Sequence, residues 1–330
     1  MEFSDNVREK RKRSYTQILI TVVIVLAVLI ILYYCIKTLF VYYLSRKLSY
    51  IVHKMCTEST MQYRYALEFP ESLIPKFNYQ FATALWDLGG IVGDAHCRDS
   101  IPLPPPTDQH VILYGKETTD LNGNSKKVSV GYIFWDSTQN WAAIVFSGTH
   151  YRSQWLNNMR TKQTPVDFIK HEISYKRTNV NQTDYKDGSP SLIHVGFYND
   201  YVSVRKQIYD WLEGIGSNIK KIIISGRSLG GALSTVCAYD LSYKGDLNIV
   251  HYSFASPRVG DPVFVNRFNQ QVPYSIRVYN NSDYVCDLPF SVFGNEIYSH
   301  VGTPETDFGF SINTGSVVKN HIDAYSDLRF

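Results

Sequence analysis

The stretch Ile222 to Leu233, IIISGRSLGGAL, constrains this chain more than any other. Lys221 to Ile224, a lysine followed by three β-branched isoleucines, predicts a short buried strand. Gly226-Arg227-Ser228-Leu229-Gly230 interrupts it, and Ala232 to Leu241 follows with a helical pattern. A strand, a tight glycine-flanked turn and a helix are the setting in which a serine sits at the tip of a sharp elbow. The glycines leave no Cβ where strand and helix cross. The hydroxyl projects at the positive end of the helix, where negative charge is stabilised. The bare pattern G-x-S-x-G is weak evidence, because a serine that merely caps a helix reads the same way. Its weight comes from the strand and helix on either side and from the rest of the chain.

With 330 residues, 44% hydrophobic and 19% charged, the chain can bury a full core as one large domain or two small ones. A net charge of +3, with no long basic stripe beyond the N-terminus, argues against a nucleic-acid partner. No internal repeat is present.

The N-terminus differs in character. Arg8, Lys10, Arg11, Lys12 and Arg13 form a basic cluster, and Ile18 to Ile36 then runs without a charge. At 1.5 Å per residue that run spans roughly 28 Å, close to the hydrocarbon thickness of a bilayer. A cleaved signal peptide has a shorter apolar region, about 7–15 residues, and small residues at its cleavage site. Here the run ends in Tyr33-Tyr34-Cys35-Ile36-Lys37, which suits a membrane interface instead. A buried core helix is the other alternative, and Thr21 as the one polar break argues against it. The basic cluster slightly outweighs Lys37, Arg46, Lys47 and Lys54, which leans toward a cytoplasmic N-terminus and an exported domain. The expected organisation is a basic tail over 1–17, a transmembrane anchor over 18–36, a membrane-proximal connector over 37–75 and an α/β domain over 76–330.

Within that domain, Tyr79 to Leu88 predicts a helix ended by Gly89-Gly90, and Pro102 to Pro106 a rigid extended stretch. Val128 to Trp135 and Trp141 to Phe146 predict strands joined by a hairpin turn over Asp136 to Asn140. His194 opens a helix with Phe197, Tyr201, Val204, Ile208, Trp211 and Leu212 on one face. Asn248 to Ala255 and Tyr274 to Tyr279 predict further strands. Strands alternating with helices imply an α/β fold with a mainly parallel sheet. Thr149, just past a strand end in Ser147-Gly148-Thr149, lies where an acyl-transfer site needs backbone N–H groups for a developing oxyanion. An ordinary strand-ending turn is the plain alternative. Tyr151, Trp155, Leu156 and Met159 form a short amphipathic pattern.

A serine hydroxyl is a weak nucleophile at neutral pH, so it needs a histidine base and a carboxylate to orient that base. In the chain order Ser, acid, His, the candidate bases are His251, His300 and His321; His194 precedes the serine and reads as structural. His251 lies inside a strand and is the weakest. Asp283 follows the strand ending at Tyr279 and the turn Asn280-Asn281-Ser282, and Asp287 is its rival. Spacing does not choose between His300 and His321.

These blocks together resemble the class 3 lipases, the fungal triacylglycerol-lipase type, over roughly Val128 to Tyr325. AAIVFSGT followed by WLNNM resembles the family's oxyanion strand and lid; HVGF resembles H-x-G-F; ISGRSLGGAL resembles G-H-S-L-G-G-A-L. FASPRVGD, VYNNSDYVCDLP, YSHVG and NHIDAY resemble the blocks that follow, in order. The resemblance implies an α/β-hydrolase fold and a serine esterase of lipid substrates that uses no metal or cofactor. It implies Ser228 as nucleophile, Asp283 as acid and His321 as base, with His300 in a non-catalytic block. It also implies oxyanion N–H groups from Thr149 and Leu229, and a lid over Tyr151 to Asn158 that includes Trp155 and Leu156. The chain departs from the pattern at Arg227 for a usual His, Ser147 for Arg, Asn158 for Asp and Cys286 for Pro. Phospholipase A1, mono- or diacylglycerol lipase and aryl esterase activities share the fold, and a non-catalytic, membrane-tethered lipid-binding module is the reading from another class.

Five cysteines are present. Cys35 lies in the span, Cys237 reads as a small core residue, and Cys56, Cys97 and Cys286 are the candidates for one disulfide. Asn181-Gln182-Thr183 and Asn280-Asn281-Ser282 match the glycan acceptor pattern. Asn181 is expected to carry a glycan in an exported domain, and Asn280, beside the acid, is not.

Overall fold

The computed structural model describes residues 20–35, 39, 63–95, 101–116, 118–119, 125–138, 140–149, 161–166, 190–306, 320–321 and 325. The chain forms two compact units, Met1–Thr57 and Glu58–Phe330. In the first, helix α1 runs over 20–35 with exposed apolar side chains such as Ile24, Leu29 and Ile31. Among the described residues no helix is long and apolar enough to cross a membrane. Residues 18, 19 and 36 of the expected anchor lie outside the described residues.

The second unit is built on one seven-stranded sheet. Its strands are β1 (Gln109–Tyr114), β2 (Ser129–Trp135), β3 (Trp141–Phe146), β4 (Lys221–Arg227), β5 (Asn248–Phe254), β6 (Ser275–Val278) and β7 (Thr303–Glu305). They lie side by side in chain order. β1, β2 and β3 pair antiparallel; β3 through β7 pair parallel. The parallel strands need crossovers, and the helices supply them: α3 (Val195–Glu213) before β4, α4 (Leu229–Ser242) before β5 and α5 (Pro262–Gln271) before β6. Two-stranded antiparallel sheets pair Gln163–Pro165 with Leu192–His194 and Val292–Phe293 with Glu296–Ile297.

Both faces of the sheet are covered, which is why its central strands are apolar throughout rather than alternating. Ile222 and Ile224 face the cluster that holds α3, α4 and α5. Ile223 points the other way, toward Leu85, Trp86 and Leu88 of α2 (Tyr79–Asp94). Burying each of these isoleucines contributes roughly 1.5–3 kcal/mol. α4 is buried on every side from Leu229 to Leu241, including the carboxylate of Asp240. That charge is tolerated because Arg205 Nε (2.7 Å), Tyr201 Oη (2.5 Å) and Tyr209 Oη (3.1 Å) all donate to it. The network locks α3, with its expected apolar stripe buried, onto the helix that follows Ser228. A mainly parallel sheet carrying a strand–elbow–helix at its centre is an α/β-hydrolase architecture.

Three expectations are corrected. α2 does not stop at Gly89-Gly90 but continues to Asp94. The glycines are there for space: a Cβ on Gly89 would lie 2.8 Å from Arg227 Cδ, and one on Gly90 3.1 Å from Arg227 Nη1. The stretch Pro102 to Pro106 is not uniformly extended. It turns at Pro105-Pro106, where Thr107 N–H and Oγ1 both donate to the Pro104 carbonyl, at 2.7 and 2.6 Å. The expected connector over 37–75 is not all connector, because Leu67 is buried and Arg64 pairs with Asp87 of α2 at 2.7 Å.

His251 sits in β5, fully buried, with Ser275 Oγ at 2.8 Å from Nδ1 and Ser234 Oγ at 3.1 Å from Nε2. Two hydroxyls suit a neutral ring, which has one donor and one acceptor. Burial pushes its pKa from 6.5 down to about 3. Between those values the unfolded chain binds a proton that the folded chain does not, so stability rises with pH there, by about 1 kcal/mol per pH unit. It is therefore fully present above pH 6.5 and is lost as the pH falls. The urea midpoint is expected to drop between pH 7 and pH 5, and to drop less in His251→Gln. Equal drops in the two proteins would remove His251 as the source.

Candidate active site

The elbow is strained as the glycine pattern demands. Ser228 adopts φ 56°, ψ −121°, a left-handed backbone that a non-glycine residue holds only when its surroundings force it. They do so here. A Cβ on Gly226 would lie 2.2 Å from the Gly230 carbonyl oxygen, and one on Gly230 2.3 Å from that of Phe146. Strand β3, the elbow and α4 thus touch backbone to backbone. Ser228 N–H donates to Phe254 of β5 at 2.9 Å. Leu229 is the first residue of α4, so its N–H has no acceptor within the helix, and it lies at the positive helix end.

The loop after β3 runs beside this turn. Ser147 is tied to Val130 by N–H (2.9 Å) and Oγ (3.1 Å) donation. A Cβ on Gly148 would lie 3.8 Å from Ser228 Cβ and 3.5 Å from the Arg227 carbonyl. Thr149 is the next residue, half-buried. Tyr151, Trp155 and Leu156, the expected lid residues, lie outside the described residues, as does Asn181.

Asp283 follows β6 in a turn where Ser282 N–H donates to Asn280 Oδ1 and Asp283 N–H to the Asn280 carbonyl, both at 2.9 Å. Its carboxylate is buried and its acceptor capacity is used. Oδ1 takes Val285 N–H at 3.0 Å; Oδ2 takes His321 Nδ1 at 2.8 Å, Tyr325 Oη at 3.0 Å and Cys286 Sγ at 3.4 Å. A carboxylate only accepts, so the His321 proton is assigned to Nδ1 and Nε2 is left as an acceptor. Nε2 lies 2.8 Å from Ser228 Oγ. Ser228, His321 and Asp283, widely separated in sequence, form one continuous hydrogen-bonded chain. Such a chain can take a proton from the serine hydroxyl and hold the resulting imidazolium against the carboxylate.

The alternatives considered from sequence are employed elsewhere. Asp287 faces outward and pairs with Arg258 at 3.1 Å. His300 Nε2 donates to the Cys286 carbonyl at 2.9 Å, and burial, with help from Arg277 and Arg258, lowers its pKa to about 3. His194 caps α3, its Nδ1 accepting from Gly196 N–H at 3.0 Å. Asn280, the second glycan acceptor pattern, is buried, with Nδ2 donating to the Asn320 carbonyl at 3.3 Å. Cys286 is a free thiol, not a disulfide partner. Burial first, and then the Asp283 charge, push it well above the usual thiol range, so it stays protonated and donates. Cys56 and Cys97 lie outside the described residues.

Sequence reasoning missed two of the donors to Asp283, Tyr325 and Cys286. Tyr325 left a signal: it stands four residues after His321, one helical turn on, so a helical reading of NHIDAY brings the two together.

Comparison with known proteins gives a matching family model, Lipase (class 3), over residues 143–293. Among curated relatives, a lipase of Rhizomucor miehei is 33% identical over 127 residues, covering 36% of this chain and 33% of its own length. A chloroplastic phospholipase A(1) of Arabidopsis thaliana is 28% identical over 168 residues, covering 48% of this chain and 36% of its own length. A secreted mono- and diacylglycerol lipase of Penicillium cyclopium is 27% identical over 188 residues, covering 56% of this chain and 54% of its own length. The chain thus spans about a third to a half of the length of these relatives. The segment that matches the class 3 lipase model holds both the elbow and the acid loop.

Proposed function

We propose that this protein is a membrane-anchored serine hydrolase that cleaves carboxylic esters of lipids through an acyl-enzyme. The observation that carries the reading is the pair of 2.8 Å contacts from His321, to Ser228 Oγ and to Asp283 Oδ2. Ser228 attacks the ester carbonyl while His321 Nε2 takes its proton. The oxyanion of the tetrahedral intermediate rests on the N–H groups of Leu229 and Thr149, the first of them at the positive end of α4. As the C–O bond breaks, His321 returns the proton to the leaving alcohol, and water then repeats the sequence on the acyl-enzyme. Asp283 holds the imidazole in the productive tautomer and stabilises its charged form. Relatives named for lipase, phospholipase A(1) and mono- and diacylglycerol lipase activities favour a lipid ester over a small soluble one, without selecting a head group.

The anchor belongs to the same proposal. It rests on the uncharged run Ile18 to Ile36, helical and apolar over 20–35, and on the basic cluster before it. This orientation leaves the catalytic unit lumenal or extracellular.

Ser228→Ala is expected to remain folded and to lose at least about a thousandfold in hydrolysis of a short-chain nitrophenyl ester, the scale seen for triad members. Near-normal turnover in that variant would sink the mechanism. For topology, full-length protein from a eukaryotic cell is expected to shift on endoglycosidase treatment, and the shift to vanish in Asn181→Gln. A C-terminal tag digested once the plasma membrane alone is permeabilised, with no glycan shift, would put the catalytic unit in the cytoplasm instead.

A further inference from the structure

We propose that Trp86 of α2 is a positioning residue for the site: held by Arg227, it keeps the Tyr325 hydroxyl on Asp283. The inference rests on the reading of Ser228, His321 and Asp283 given above. Trp86 is almost fully buried and its indole serves three partners. The Arg227 guanidinium lies 3.6 Å from the ring centroid. The Tyr325 ring stacks on it at 5.2 Å with an interplanar angle of 18°. Phe254 of β5 meets it edge-on at 5.7 Å. The contacts therefore close on themselves. From Arg227 they run through Trp86, Tyr325, Asp283 and His321 to Ser228, the residue next to Arg227.

A core tryptophan that only filled space would not need this arrangement. Tyr325 Oη donates to Asp283 Oδ2 at 3.0 Å and accepts Asn280 N–H at 2.7 Å. It does both only while its ring plane is fixed, and the stacked indole fixes it. Arg227 adds a cation over the same indole, and Gly89 and Gly90 give up their side chains inside a helix to let it through. Without the Tyr325 donor, the Asp283 charge falls more fully on His321. The imidazolium is then favoured, and the acid limb of the kcat/KM profile moves to higher pH. The other groups facing this pair are the Cys286 thiol on Oδ2 and the Ser228 hydroxyl on Nε2. Arg277 of β6 acts on Cys286 and Tyr325, and Asp87 and Asp94 of α2 act on Arg227.

The experiment uses the full chain in detergent, a soluble nitrophenyl ester and a pH series. In Trp86→Leu, kcat is expected to fall about tenfold with KM within about twofold, and the acid limb to rise by a few tenths of a pH unit, in the direction of Tyr325→Phe. Adding Trp86→Leu to Tyr325→Phe is expected to bring little further loss, because both act through one hydroxyl. Trp86→Phe, which keeps a flat ring, is expected to restore most of kcat. A folded Trp86→Leu protein with a lower Tm but unchanged kcat and acid limb overturns the inference, as do losses that multiply in the double variant. If Trp86→Leu does not fold, Arg227→Met stands in for it, with a smaller loss of about threefold in kcat and the same shift expected; no change in either overturns the inference equally. A parent whose hydrolysis is independent of Ser228 removes the hydrolase reading and this inference with it. A parent that works through Ser228 beside indifferent Trp86 variants removes this inference alone.

Discussion

The close approach of three backbones at Ser228 governs this molecule. β3, the elbow and α4 meet with carbonyl oxygens where the Cβ atoms of Gly226 and Gly230 would be, and the serine is pressed into a positive φ between them. Backbone strain of order 1–3 kcal/mol survives only where packing over-determines it. The fully buried Ile222–Ile224 run and a helix buried on every side supply that packing. The same geometry sets the chemistry: it holds the hydroxyl at the N-terminal end of α4, 2.8 Å from His321 Nε2.

The second requirement is a buried carboxylate surrounded by hydrogen-bond donors. Desolvation penalises an isolated buried charge heavily, and Asp283 meets it with four donors from three sources: its own turn, the acid-loop thiol, and the C-terminal His321 and Tyr325. Asn280 ties the acid loop to Asn320 and Tyr325, so acid and base are held as one piece. The departure Cys286 takes part in this set. The departure Arg227 points away from it, into α2. Cys286 thus supports Asp283 directly, whereas Arg227 reaches it only through the proposed Trp86–Tyr325 route.

Much of this was legible in the sequence because it is local. The apolar run Trp141–Phe146 marks its strand to both ends, and the stripe from Phe197 to Leu212 is the buried face of α3, since apolar patterning reports burial directly. Ser228 and its order relative to the acid and base are readable, but only block resemblance chooses His321 over His300, since spacing does not separate them. What failed was what depends on distant neighbours. Gly89-Gly90 reads locally as a helix stop, yet the glycines exist to pass Arg227. Trp86 gives no sign in its own segment that it stacks on Tyr325, and Cys286 gives none that it donates to Asp283.

The measurement that tests the account most directly is covalent labelling of the full chain with a fluorophosphonate, followed by peptide mapping. Only a serine activated by its own base reacts fast with such a probe. The account predicts one adduct, on Ser228, formed equally in His300→Ala and abolished in His321→Ala. An adduct on another serine, or undiminished labelling of Ser228 without His321, would contradict it.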